Sequence, residues 1–222
     1  MKVRQIVIED FINYKKPSLF IAFPYCNFKC GQELCQNSEL IKSPLLEISA
    51  TQIIDWFNDN PITEAYIFGG LEPFDSWSDL LHLITQIRIR DKNSDIIIYS
   101  GYTKTELEER GVLDALYRFG VIIKCGRYIP NKSSRYDDIL GVELASDNQY
   151  AFFLGEPKAK FTIKRNPDLT EVKYIQEKIH DNEGYCPCKL LKTKDTQCMC
   201  KDFRTKEEEG YCDCGLYYKE KI

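Results

Sequence analysis

Histidine is scarce in these 222 residues: there are two, alongside two tryptophans and two methionines. His82 sits in an amphipathic helical pattern and His180 near a helix end, so both read as structural. No Ser/His/Asp arrangement, HExxH or GK[ST] motif is present. That removes the usual sequence signals for triad hydrolysis, zinc-protease chemistry and P-loop phosphate binding. No apolar run nears the ~20 residues of a membrane-spanning helix. The opening MKVRQIVIEDFINYKK lacks the apolar stretch of a signal peptide. Net charge is −4, and lysine and arginine form no single stripe, so the electrostatic footprint of a nucleic-acid binder is missing. Internal repeats and low-complexity segments are also absent. We expect a cytoplasmic chain with neither a membrane nor a nucleic acid as partner.

Cysteine, by contrast, is abundant, with ten residues at 26, 30, 35, 125, 186, 188, 198, 200, 212 and 214. In a reducing compartment, clustered cysteines point to metal or redox chemistry rather than to a disulfide framework. The grouping agrees. Nine of the ten fall into two sets, three within ten residues and six as three C-x-C pairs, whereas a network of staples would spread them out. Cys125, inside the apolar run VIIKCGRY, reads as a small buried hydrophobe.

Hydrophobic residues make up 43% and aromatics 13% of the chain, enough for a packed core. Short apolar runs at 19–23, 65–68, 96–99 and 121–124 read as strands covered on both faces. Helical patterns lie between them at 50–58, 76–90 and 103–119, the last opened by a Thr103/Glu106 capping box. This alternation predicts a parallel α/β domain over residues 1–160. Residues 129–147 read as irregular and polar, followed by an apolar patch at 150–154. Asn166 and Pro167 look like a cap and first helical position for a helix over 168–181, which places a second domain at 167–222. That domain is expected to be small and mainly α. Its tail has little besides cysteine to make a core, so it needs a metal to fold.

The first cysteine set, Cys26-Asn-Phe-Lys-Cys30-Gly-Gln-Glu-Leu34-Cys35-Gln-Asn37, follows the first strong strand, where α/β folds place ligands. A four-iron cluster needs four ligands, so three thiolates leave one iron open for a substrate or cofactor. A zinc loop completed by Cys125 or His82 is the alternative these residues leave open.

Cys26-x3-Cys30, the third cysteine and Asn37 resemble the cluster loop of radical S-adenosylmethionine (SAM) enzymes. More narrowly, CNFKC…CQN resembles the activating proteins of anaerobic ribonucleotide reductase. The family's usual spacing is C-x3-C-x2-C, whereas the second gap here is four residues. Phe68-Gly69-Gly70-Leu71-Glu72-Pro73-Phe74 resembles the family's GGEP loop with one residue inserted before Glu72. Tyr99-Ser100-Gly101-Tyr102-Thr103 resembles the strand end that meets the ribose. Each alone reads as an ordinary strand-to-helix turn; their order along the chain carries the likeness. Gly126-Arg-Tyr and Ser146-Asp-Asn-Gln149 are also similar to activase segments, with no role assigned.

The resemblance implies that Cys26, Cys30 and Cys35 hold a [4Fe–4S] cluster whose open iron is chelated by SAM. It places Gly69, Gly70 and Glu72 at the methionyl amino group, where glycine lets backbone approach closely. By position, Leu34 would pack against adenine and Ser100 would meet the ribose, with Asn37 in the same cofactor-binding set. One electron would cleave the sulfonium bond, giving methionine and a 5′-deoxyadenosyl radical that takes hydrogen from a glycine of anaerobic ribonucleotide reductase. Ferredoxin or flavodoxin is the implied electron donor. The implied fold is a partial, open (β/α) radical SAM barrel of about four or five units, short of a closed eight. Its open side would admit a protein substrate.

The second set comprises Cys186-Pro-Cys188, Cys198-Met-Cys200 and Cys212-Asp-Cys214. Six thiols exceed the four that a zinc ion or a four-iron cluster takes. The remaining two suit a dithiol beside a cluster, or spare thiols beside zinc. The order CPC…CMC…CDCGLYY resembles the catalytic chain of ferredoxin–thioredoxin reductase, whose pattern is CPC…CPC…CHC, over residues 168–218. By that resemblance Cys186, Cys198, Cys200 and Cys212 hold a second [4Fe–4S] cluster, and Cys188 and Cys214 form a redox disulfide beside it. Asp213 stands where the family has histidine, and the gap between the first two pairs is shorter than in the plant-type enzyme. Such a module would pass electrons to the first cluster, or reduce a disulfide on the reductase or a thioredoxin-like partner.

The expectation is therefore an oxidoreductase with two cluster sites. Its rivals are a radical SAM enzyme with a different substrate, a non-catalytic zinc-binding interaction protein, and an electron-transfer protein without SAM chemistry.

Overall fold

A computed structural model describes residues 1–156 and 161–221. They belong to two compact units, Met1–Glu156 and Pro157–Ile222. The expected end of the first domain at 160 lies outside the described residues.

The first unit is built on a six-stranded sheet of β1 (Gln5–Asp10), β2 (Ser18–Phe23), β3 (Ala65–Gly70), β4 (Asp95–Tyr99), β5 (Val121–Cys125) and β6 (Tyr150–Leu154). The strands lie side by side in chain order. Strands β2 to β5 run parallel, with β1 and β6 antiparallel at the edges. The parallel crossovers carry α1 (Ala50–Asp59), α2 (Trp77–Arg90), and α3 (Lys104–Glu109) with α4 (Val112–Tyr117). Right-handed crossovers between strands in consecutive order turn the same way each time, which collects helices on one face.

The core follows that geometry. Leu19, Ile21, Tyr66, Phe68, Ile96, Ile98 and Ile123 pack with Ile53, Phe57, Leu80, Leu83 and Ile84 of the helices. The alternate residues Ala65, Ile67, Ile97 and Ile122 face the other way, against Tyr14, Leu140 and Leu144. Burying each large apolar side chain stabilises by roughly 1.5–3 kcal/mol. Cover on both faces explains why these strands read as unbroken apolar runs. At their C-terminal ends the chain turns over the face that the helices leave free.

Local signals account for the helix ends. Ser49 with Gln52, and Thr103 with Glu106, form capping boxes at α1 and α3. The helix expected over 103–119 is broken in two, because Gly111 takes φ 67°, a left-handed conformation that ends one helix before the next begins. The segment at 129–147, expected to be irregular, contains a short hairpin of Arg135–Asp137 with Val142–Leu144.

The second unit corrects the expectation of a mainly α domain. It has α5 (Leu169–Asp181) and α6 (Lys201–Thr205), and also β7 (Phe161–Arg165), β8 (Gly210–Tyr211) and β9 (Tyr217–Lys221). These strands form an antiparallel sheet in the order β7-β9-β8. FTIKR and YYKEK are rich in charge and pair across a long stretch of chain, so neither shows the apolar alternation that marks a strand. The start of α5 also differs: Asp168 is the cap, accepting from the N–H groups of Thr170 and Glu171, while Asn166 Oδ1 accepts from Asp168 N–H. Among the described residues, no helix is long and apolar enough to cross a membrane.

Candidate functional site

Loops at the C-terminal ends of β2 to β5 enclose a pocket of about 410 Å³, within the range of small-molecule sites. Cys26, Cys30, Leu34, Cys35, Asn37, Gly70, Glu72 and Ser100 all line it. Gly69 does not. It pairs with Ala22 inside the sheet, and a Cβ there would meet the Phe20 ring at 3.1 Å and Tyr99 Cβ at 3.3 Å. Its bare Cα leaves room for Phe20 and Tyr99, which are themselves pocket walls.

The cysteine loop is tied down by its neighbours. Asn37 Nδ2 donates to the Gly70 carbonyl at 2.8 Å, Glu72 N–H to the Tyr25 carbonyl at 2.9 Å, and Asn27 N–H to Asp75 at 2.9 Å. Phe28 and Gly31 take positive φ, 51° and 85°, so the chain folds back tightly between cysteines. Burial pushes the Cys26 thiol up to about 11, and burial together with the neighbouring Cys35 raises Cys30. Metal ligation takes thiolates, so a centre held here must displace these protons.

Glu72 is the buried acid of the pocket. It is 6% exposed and accepts hydrogen bonds from Ser100 Oγ at 2.9 Å, Gly101 N–H at 2.8 Å and Phe74 N–H at 3.2 Å. Burial outweighs these bonds and pushes its pKa up to about 7. The Ser100 hydroxyl is thus engaged with Glu72 and also accepts from Tyr102 N–H at 3.0 Å.

Sequence reasoning missed Lys124, which also lines the pocket. Its signal was a lone cation inside the apolar strand VIIKC. Cys125, by contrast, packs in the helix-side core, and burial pushes its thiol up to about 12. Neither Cys125 nor the exposed His82 lines the pocket.

In the second unit, Cys186, Cys200 and Cys212 are buried with Val172, Ile175, Phe203 and Leu216, and Cys198 and Cys214 pack against them. Cys188 is exposed. Backbone bonds from Cys186 N–H to Thr196 O (2.9 Å) and from Cys198 N–H to Gly184 O (3.0 Å) join the first two pairs. In the third, the Cys212 and Cys214 sulfurs lie 3.5 Å apart. Burial and the neighbouring Cys186, Cys212 and Cys200 raise the Cys198 pKa. Lys189 is paired with Asp202 at 2.6 Å and Asp213 at 2.8 Å.

Among the described residues, no three His, Cys, Asp or Glu side chains close on one point in the manner of a single-ion site. In the first unit the three thiols line one pocket, and in the second unit five of the six cysteines pack in one side-chain cluster. That arrangement suits a cluster, whose thiolates each take a different iron.

A family model for a 4Fe-4S single cluster domain matches residues 17–149. No curated protein and no solved structure matches the chain. The matched stretch contains Cys26, Cys30, Cys35 and every residue named above on the pocket wall, and none of the six cysteines of the second unit. The chain belongs to the 4Fe-4S single cluster domain family and is an iron–sulfur protein.

Proposed function

We propose that the chain is a radical SAM activase that generates a glycyl radical on anaerobic ribonucleotide reductase. The observation that carries this reading is the pocket. Three separate segments that resemble activase motifs, from three strand ends, meet on one wall that includes Cys26, Cys30, Cys35, Glu72 and Ser100. The consecutive strand order, with helices packed on one sheet face, also supports an open barrel-type winding.

In this reading Cys26, Cys30 and Cys35 hold the cluster, which when bound supplies the electron that cleaves the sulfonium bond of SAM. Asn37 fixes the cysteine loop to the Gly70 carbonyl. Glu72 and Ser100 lock the β3 and β4 ends together, while Phe20 and Tyr99 give the pocket apolar walls that exclude water. In the second unit, Cys186, Cys198, Cys200 and Cys212 hold a second cluster, with Cys188 and Cys214 as the dithiol pair. The exposure of Cys188 supports setting it apart from the ligands, while Cys214 is half-buried like Cys198. A ferredoxin or flavodoxin supplies electrons, and a thioredoxin-like protein is the dithiol partner.

The test is anaerobic reconstitution followed by incubation with dithionite and SAM. Wild type is expected to hold roughly eight irons, two clusters of four, and to release 5′-deoxyadenosine. A Cys26/Cys30/Cys35→Ala variant should keep about four irons and release none. A fully loaded wild type that forms no 5′-deoxyadenosine favours simple electron transfer. A colourless, zinc-loaded protein overturns both cluster assignments.

A further inference from the structure

Lys124 stands apart from the cluster and SAM roles assigned above. It lies at the C-terminal end of β5, beside Tyr99 of β4, on the sheet face away from the helices, and it lines the pocket. It is 7% exposed. An ammonium has three donors. One bonds the Gly126 carbonyl at 2.9 Å, and the charge lies 5.9 Å from the Tyr99 ring centroid. Among the described residues, no carboxylate forms an ion pair with it. Lysine is almost never buried unless paired, because stripping water from the charge is costly. The cost shows in its acidity, since burial draws the pKa down to about 8. The side chain is still mainly protonated at neutral pH.

Its position separates it from the thiols. β5 is three strands from β2, whose end carries the cysteine loop, a distance of roughly 14 Å across a sheet. The cation beside Cys30 is Arg127, itself paired with Glu106 at 2.8 Å.

We propose that Lys124 is an anion anchor, and that the ligand of this pocket sets a carboxylate or phosphate group on its ammonium. Glu72 favours the charged form of Lys124 through space but makes no ion pair with it, so the buried, unpaired charge is completed by the ligand rather than by the fold. The anchor stands on the pocket's own geometry. Where the SAM reading holds, SAM's carboxylate is taken at the cysteine end, so the anion on Lys124 belongs to the hydrogen-donating substrate.

Thermal unfolding of the full chain tests this without iron or SAM, so its failure and the failure of the activase reading are separate results. Wild type and Lys124→Met are melted in acetate, phosphate and chloride at pH 7 and equal ionic strength. Phosphate stabilises most proteins to some degree, so the quantity scored is the difference between the two proteins. Wild type is expected to gain about 3 °C over chloride at an anion concentration near ten times Kd. A gain in acetate marks a carboxylate ligand, and a gain confined to phosphate marks a phosphate ligand. Lys124→Met should lose that gain while melting in chloride at or above wild type, because it removes an unpaired buried charge. Should Lys124→Met not fold, Lys124→Gln takes its place. An absent gain in wild type, or an equal gain in both proteins, overturns the proposal.

Discussion

Ser100 donates its hydroxyl hydrogen to Glu72 across 2.9 Å, with both side chains buried. The two residues follow neighbouring parallel strands, β3 and β4, so the bond ties the GGLEP turn to the YSGYT turn. Gly101 N–H adds a second bond, to the other carboxylate oxygen, at 2.8 Å. Ser100 therefore acts through Glu72 as a positioning residue, whatever its hydroxyl meets when a ligand is bound.

Burial raises the Glu72 pKa from 4.5 to about 7, and the sign of the consequence follows. Between those values the unfolded chain has lost the proton that the native chain keeps, so stability falls as pH rises. This contribution is fully present below about 4.5, the unfolded pKa, and gone above the native value. The shift corresponds to a change on the order of 3 kcal/mol. Urea unfolding of the iron-free chain between pH 5 and 8 should show wild type losing stability relative to Glu72→Gln as pH rises. Parallel curves for the two proteins would place the Glu72 pKa near that of a free carboxyl.

Much of this unit was legible in the sequence because its strands are buried on both faces and its helices carry capping residues. The runs at 65–68 and 121–124 read as internal strands, and Thr103 with Glu106 could be read as a helix start. Long-range pairing was not legible. β7 and β9 join residues more than fifty apart through charged side chains, and such strands owe their existence to each other rather than to local pattern. At the site, cysteine spacing and glycine turns located the pocket wall. Lys124 escaped notice because strand periodicity says that a residue is inside without saying what completes its charge.

Two glycines with similar backbone angles should respond differently to alanine. Gly70 has φ +76°, and a Cβ there would lie 2.5 Å from Ala22 Cβ. Gly111 has φ +67° and open space around it. The left-handed backbone alone costs a side-chain-bearing residue roughly 1–2 kcal/mol, and forcing atoms into a packed site adds about 1–3 kcal/mol. Gly70→Ala should therefore destabilise by about 2–5 kcal/mol, and Gly111→Ala by about 1–2 kcal/mol. Chemical denaturation of both variants checks the order. Equal losses would mean that the β2–β3 contact relaxes freely.

The six thiols of the second unit should not react alike. Cys188 is exposed, whereas Cys186, Cys200 and Cys212 are buried. Brief maleimide treatment of the reduced, iron-loaded chain, followed by peptide mapping, should label Cys188 before the other five. Burial and the nearby Cys186 and Asp213 raise the Cys188 pKa, which slows the reaction near neutrality and lets it accelerate as pH rises. Prior labelling of Cys186 or Cys212 would contradict the assignment of Cys188 as the accessible member of a dithiol pair.

Lys189 connects all three C-x-C pairs. It follows Cys188 directly and bonds Asp202, two residues after Cys200, and Asp213, between Cys212 and Cys214. Hydrogen bonds that the Lys189 ammonium donates to these two carboxylates hold its pKa above the usual lysine range. Exposed ion pairs add little to global stability, so Lys189→Met should melt close to wild type. Holding ligand-bearing segments in register is a different task, and loss of an outer partner typically weakens metal binding ten-fold or more. On the proposed reading, the Cys26/Cys30/Cys35→Ala background keeps the visible absorbance of the second cluster alone. There, Lys189→Met should lose that absorbance to an iron chelator about ten-fold faster, and Lys189→Arg, which keeps the charge and both carboxylate contacts, should restore the slow rate. Identical decay in all three proteins would reduce the Lys189 pairs to surface decoration.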